Sequence, residues 1–207
     1  MVVRAPSGAR NNLANHFAIA AVGEALRVYL QSAYPPELQV THPCAFSVLA
    51  SGQLGEFDDP ADASTAVTLL LYRVTVNEQL RNAFQPGRTP DGLPPALPVD
   101  LHWMLSVWAS SAAAEHTVFA WALRQMADQL VLDASALGAE AGFGEGDVLQ
   151  VLPAELTIED QMRIWDALQP AYRLSTSYVV RAVRLDGIQP SAPRVVSSRI
   201  SLGEGAP

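Results

Sequence analysis

The sequence contains no lysine, and only 16% of its 207 residues are charged. Its 13 basic side chains are all arginine, and 21 acidic side chains bring the net charge to −8. An acidic chain has no general attraction to nucleic acid or to an anionic membrane, so we expect neither as a partner. With 49% hydrophobic residues, the low charge favours apolar surface that an oligomer would cover. Codon bias that enriches alanine and arginine is the alternative explanation.

Cysteine is almost absent as well. Cys44 is the single cysteine, so an internal disulfide is excluded, and its apolar neighbourhood predicts a buried free thiol. The first residues lack the apolar core of a secretory signal, and no run approaches the ~20 apolar residues of a membrane span. We therefore expect a protein made in the cytoplasm, without a membrane span.

The chain is long enough for one domain, which at this size buries about 70% of its unfolded surface. Residues 1–10 predict a flexible arm, residues 11–187 the domain, and residues 188–207 a tail. Prolines and glycine exclude a stable helix from that tail. Its alternating stretch has the length of a short edge strand that needs a host sheet. The residues that carry this prediction are Arg194, Val195, Val196 and Ile200.

Helical spacing of apolar residues predicts a first helix from Asn11 or Asn12 to Gln31. A second helix begins after Ser110 or Ser111 and continues to about Val131. A third, shorter helix follows a capping motif that opens at Thr157, and Pro170 ends it.

Strands are predicted by β-branched and alternating apolar residues. The run at 67–76 is apolar on both faces and predicts an interior strand, and residues 99–108 alternate. Residues 175–185 form a last strand, and residues 37–49 predict an extended segment at an edge or bend. Residues 51–64 predict a loop.

The sequence offers little catalytic chemistry. Asp100, His102 and Ser106 share one face of a strand, which invites comparison with a hydrolytic triad. Known triads draw their members from separate elements, and no Gly-x-Ser-x-Gly turn is present. His42 and Cys44 are the nearest metal-binding pair, and two ligands are too few. We expect no enzyme, catalytic residue, metal or cofactor; a small hydrolase using His102 and Ser106 remains the less favoured alternative.

Five short motifs occur in a recognisable order. They are Leu-Tyr-Arg-Val at 71–74 followed by Asn77, Arg81 and Asn82, then Leu-His-Trp at 101–103, Ala-Glu-His at 114–116, Ile-Trp at 164–165 and Tyr-Arg-Leu-Ser at 172–175. This order resembles the N-terminal domain of the cap, or tail-terminator, proteins of phage-tail-like contractile injection systems. The resemblance spans roughly residues 13–187.

The resemblance implies an α/β fold of the α+β kind, in which helices flank a mixed β-sheet. It implies a structural cap that forms a homo-oligomeric ring, expected to be hexameric, on the inner tube and sheath and so ends polymerisation. Such a cap works within the assembled injection particle. A tube or baseplate adaptor of the same machine is the alternative.

The same resemblance suggests which residues contact another subunit or partner. In the domain they are Arg73, Asn77, Arg81 and Asn82, and in the tail they are Arg194, Val195, Val196 and Ile200. Residues 77, 81 and 82 have a second interpretation, because asparagines at the end of a strand commonly cap a turn or helix.

Overall fold

A computed structural model of the chain describes residues 16–58, 65–83, 96–127, 130–138, 141–143 and 146–185. Within them, six strands form one mixed sheet flanked by helices, so the predicted α+β fold is confirmed. The strands are β1 (Cys44–Leu49), β2 (Thr65–Val76), β3 (Leu97–Trp108), β4 (Leu130–Asp133), β5 (Val148–Pro153) and β6 (Ser175–Leu185). The helices are α1 (Ala18–Ala33), α2 (Pro36–Thr41), α3 (Glu78–Ala83), α4 (Ala112–Ala127), α5 (Ala134–Leu137) and α6 (Ile158–Leu168), with a 3-10 helix at Ser51–Asp58. None of these helices has the length and apolarity that crossing a membrane requires.

The sheet has the strand order β1-β2-β3-β6-β5-β4. The pair β1 and β2 is parallel, and every other neighbouring pair is antiparallel. Strand β2 lies between two neighbours and is buried from Thr65 to Leu70, which confirms the predicted interior strand. The two edges of the sheet are β1 and the four-residue β4.

Helices α1 and α4 cover the first face of the sheet. The alternating residues of β3 that were predicted to point one way, Val99, Leu101, Trp103, Leu105 and Val107, all lie in this core. Trp103 packs so closely against α1 that a Cβ on Gly23 would lie 2.6 Å from its Cη2 atom. The helix can therefore approach the sheet only because residue 23 has no side chain.

The second face is less evenly buried than the first among the described residues. On one half of it, α6 and the 3-10 helix enclose a smaller core of Leu54, Leu70, Met104, Trp108 and Trp165. On the other half Val148 is 55% exposed and Val131 is also exposed, whereas Val179, which pairs with His102, is buried. We call this surface the open half-face; by strand register it carries Arg73, His102, Val131, Val148 and Arg181.

Three predicted boundaries were wrong. Residues 36–41 form α2 rather than an extended segment, because Pro36 occupies the first turn, where its missing N–H costs nothing. Helix α4 ends at Ala127, and Leu130 begins β4 by pairing with Val151 of β5. Residues 51–58 of the predicted loop form the 3-10 helix.

Two other helix predictions agree more closely with the observed helices. Helix α1 begins at Ala18, because His16 and Phe17 form a turn; the predicted starts at Asn11 and Asn12 lie outside the described residues. Thr157 caps α6 by accepting a hydrogen bond of 3.1 Å from the Asp160 N–H, which confirms the capping motif. The arm at 1–10 and the tail at 188–207 are also outside the described residues.

Candidate functional site

Asn77 joins β2 to α3 and caps that helix. Its Oδ1 accepts a hydrogen bond of 3.1 Å from the Leu80 N–H, and its own N–H donates to the Pro98 carbonyl at 2.9 Å. Its Nδ2 donates to both carboxylate oxygens of Asp100 at 3.3 Å. The capping interpretation is therefore confirmed for Asn77, whose side-chain groups are engaged within its own chain.

Arg81 lies one turn further along α3, and its side chain is exposed to solvent. Its guanidinium lies 3.6 Å from the Glu78 carboxylate, and both side chains are more than half exposed. An exposed pair of this kind is worth only about 0.2–0.5 kcal/mol, so it leaves Arg81 available to a partner. Asn82 is in the same helix.

A β-bulge turns Arg73 toward the open half-face. The pairing of β2 with β3 shifts between Leu71 and Arg73, so Tyr72 is an extra residue in β2. The Tyr72 hydroxyl hydrogen-bonds to Ser177 Oγ at 2.8 Å, which fixes the bulge to β6. Arg73 then pairs directly with His102, and its side chain is exposed.

A second bulge lies in β6, opposite Asp100. The register between β3 and β6 shifts between Val99 and Leu101, so Arg181 and Ala182 together face that one residue. Ala182 adopts a φ of 60°, which is uncommon for a residue with a side chain. Asp100 Oδ1 accepts a hydrogen bond of 2.9 Å from the Ala182 N–H. Through this bond and those from Asn77, one carboxylate joins three elements.

His102 lies between these bulges. Its Nε2 is 3.3 Å from Thr75 Oγ1. Partial burial lowers the pKa of His102, and the positive charges of Arg73 and Arg181 lower it further against the opposing effect of Asp100. The imidazole is therefore neutral at pH 7, and the positive charge of the open half-face comes from arginine.

The three residues that invited a triad interpretation are held by different partners. Ser106 Oγ hydrogen-bonds to Ser175 Oγ at 2.9 Å, and Ser106 is only 1% exposed. Asp100 bonds to Asn77 and Ala182, as described above. Because the Ser106 hydroxyl is buried among strands, it is not placed to attack a substrate.

Cys44, one member of the candidate metal pair, is a partly buried free thiol. Burial raises the pKa of the Cys44 thiol to about 12, so the thiol is protonated at neutral pH. Among the described residues, no three His, Cys, Asp or Glu side chains gather where a metal ion would bind.

The strand register brings together residues that the motifs alone did not connect. Arg181 was not singled out in the sequence, yet it lies across His102 from Arg73 on the same face. Its position depends on the bulge at Ala182, and nothing in the surrounding sequence predicts that bulge. The predicted contacts Arg194, Val195, Val196 and Ile200 lie outside the described residues.

Comparison with known proteins gave a family match and similar solved structures. Residues 21–198 match the model of the Pvc16 N-terminal domain. A PVC sheath/tube terminator of an extracellular contractile injection system, in its extended state, is 20% identical with a TM-score of 0.53 over 91% of this chain. The cap of the anti-feeding prophage is 18% identical with a TM-score of 0.49 over 88% of this chain. The chain spans 64% and 60% of those two proteins, and no curated protein sequence matches it.

Proposed function

The chain belongs to the Pvc16 N-terminal domain family, and from this premise we propose that it is a structural cap of a contractile injection system. In this proposal, six copies form a ring on the distal end of the inner tube and sheath and stop their growth. The observation that carries the proposal is the family match over residues 21–198, supported by the shared fold of a sheath/tube terminator.

A tube built from stacked rings needs a cap to stop its growth. A tube of stacked rings is an open-ended assembly in which every ring offers a binding surface to the next. Growth ends when a ring binds that offers no further surface. The protein would be made in the cytoplasm and then become part of the particle, with the tube and sheath proteins as partners.

The described surface suits a subunit of a ring. Large apolar side chains are exposed on several separate elements rather than in one groove, among them Phe17, Val40, Val148 and Ile158. The open half-face adds exposed valines, Val131 and Val148, where a sheet face that meets solvent normally carries polar residues. Contacts between copies would cover such surface.

Two sets of residues would make contacts in this ring. Arg73 and Arg81 are exposed and accessible to a partner, and Asn82 follows Arg81 in α3. Asn77 would act indirectly, by fixing the end of α3. We also propose that residues 11–187 form the domain and that the tail at 188–207 binds another chain as an exchanged strand. Its residues Arg194, Val195, Val196 and Ile200 would pair with an open sheet edge of a neighbouring cap or sheath subunit.

Electron microscopy of particles tests the cap role. Particles assembled from the cognate tube and sheath proteins without this chain should have uncontrolled or unstable tails, and adding the chain back should restore a defined length. A tube or baseplate adaptor predicts a different result, because its loss would leave particles without a baseplate. Tails of normal length and stability in the absence of the chain would contradict both roles.

Truncation after Gly187 tests the tail. The shortened chain should keep nearly the same melting temperature while capped particles lose integrity, because the tail would act on a partner. Unfolding or aggregation of the truncated chain would assign the tail to the sheet of its own subunit. A hydrolytic role is not part of this proposal, and His102→Ala combined with an activity screen checks that exclusion.

A further inference from the structure

We propose that the open half-face of one copy receives the outer, acidic side of α6 from the next copy in the ring. This inference rests on the proposed ring and names the contact that would hold neighbouring subunits together. Arg73 and Arg181 are the cationic side of the contact, and Glu159 and Asp166 of the second copy are the acidic side.

The cationic side is defined by two arginines that flank His102. Both arginines are exposed, and both are close enough to affect the imidazole electrostatically. Within the described residues, neither has a hydrogen-bonded or ion-pair partner. Two exposed guanidiniums on one sheet face, in a chain of net charge −8, match a carboxylate-bearing surface.

The acidic side is the outer surface of α6. Glu159 and Asp166 are exposed and seven residues apart, which is close to two helical turns, so they lie on the same side of the helix. Neither has an ion-pair partner in the described part of the chain, whereas the neighbouring Asp160 pairs with Arg163 at 3.7 Å.

Apolar surface accompanies the charges on both sides. Ile158 and Met162 are exposed beside Glu159 on α6, and Val131 and Val148 are exposed on the open half-face. Helix α6 already packs on the covered half of the second face through Trp165. A second copy of α6 on the open half would complete the helical layer with a charge-matched surface. Because the two surfaces differ, the contact is heterologous, which is the kind that builds rings.

The absence of lysine allows a direct test. Arg181→Lys keeps the positive charge and gives the chain its only lysine. A carbodiimide joins an amine to a carboxylate only when the two groups touch. The purified variant, and particles that contain it, should therefore give cross-linked multimers whose linkage maps to Glu159 or Asp166 of another copy. The lysine-free parent chain controls for the terminal amine, and Arg27→Lys, whose partner is Glu24 on its own helix, is the matched control.

Charge reversal provides the second measurement. The double variants Arg73→Glu with Arg181→Glu, and Glu159→Arg with Asp166→Arg, should each reduce incorporation into particles by about tenfold or more, since like charges would then meet. The chain with all four changes should recover most of the incorporation.

Several outcomes would overturn the proposal. They are cross-links from residue 181 only within one chain or to tube or sheath proteins, no intermolecular cross-links at all, normal incorporation of either double variant, or no recovery in the quadruple variant. The cap role is judged separately. A ring on the particle without the link from residue 181 to α6 would refute this contact alone, whereas linked multimers that fail to cap particles would refute the cap role alone.

Discussion

The Asp100 carboxylate accepts a hydrogen bond of 2.9 Å from the N–H of Ala182, which has a φ of 60°. A left-handed conformation costs a residue with a side chain roughly 1–2 kcal/mol, so something must offset the cost. Asp100 does this by satisfying the N–H that the bulge removes from the ladder between β3 and β6, and it also receives both bonds from Asn77.

Replacing Asp100 should destabilise the domain. Asp100→Ala removes hydrogen bonds to a charged group and should lower the free energy of unfolding by about 1.5–3 kcal/mol. Asp100→Asn keeps an acceptor oxygen and should cost less. Urea denaturation followed by circular dichroism measures both, and equal losses in the two variants would contradict the role of the acceptor.

Ala182→Gly tests the backbone conformation itself. Glycine adopts positive φ without strain, so this change should raise the free energy of unfolding by up to about 1 kcal/mol. Ala45→Gly in the edge strand β1, where φ is not positive, should instead lower it by about 0.5–1 kcal/mol. A loss of stability in the Ala182 variant would refute the strained bulge.

The sequence predicted the centre of this fold better than its periphery. Strands β2, β3 and β6 carry long β-branched or alternating runs, and all three were predicted close to their observed bounds. Strands β4 and β5 were missed because they are short and their pairing is non-local; Leu130 also continues the spacing of the preceding helix. Local periodicity cannot reveal where a chain leaves a helix to pair with a distant strand.

The candidate site shows the same limit. Arg73 was found through its motif, and the capping role of Asn77 follows from its residue type. The approach of Arg181 to the same face depends on two bulges, whose positions are set by the register between strands. Register is a tertiary property, so Arg181 had no signal of its own in the sequence.

Gly23 should not tolerate a side chain. In Gly23→Ala the new Cβ would lie 2.6 Å from Trp103 Cη2, so the helix or the indole must shift. We expect a loss of about 1–3 kcal/mol from overpacking, opposed by a gain of about 1 kcal/mol in helix propensity. Thermal unfolding measures the net loss.

A double variant separates the close contact from other effects. In a Trp103→Phe background the Cη2 atom is absent, so the same Gly23→Ala change should no longer be destabilising. Gly52→Ala meets no atom within 4 Å and is the single-site control. Equal costs of Gly23→Ala in both backgrounds would rule out the indole as the obstacle.

His102 should make the domain less stable in mild acid. Burial and the nearby arginines lower its pKa in the folded state, so the unfolded chain, with a histidine pKa near 6.5, binds the proton more readily. The contribution of His102 is fully present above about pH 6.5 and is lost as the pH falls toward the lower folded-state pKa. His102→Gln should therefore reduce the drop in melting temperature between pH 7.5 and pH 5. His116→Gln, at an exposed site on α4, is the control, and an equal effect in both variants would contradict the assignment.

Variants of Asn77 and Arg81 should differ in their effects, since the first should lower stability and the second should lower assembly into particles. Asn77→Ala removes the cap of α3 and its bonds to Asp100, so it should lower the free energy of unfolding by about 1–2 kcal/mol. Arg81→Ala removes only an exposed ion pair and should change stability by less than about 0.5 kcal/mol. If Arg81 contacts a neighbouring subunit, its variant should remain folded and yet be incorporated less into particles. A large loss of melting temperature with normal incorporation would mean that Arg81 serves its own helix, as Asn77 does.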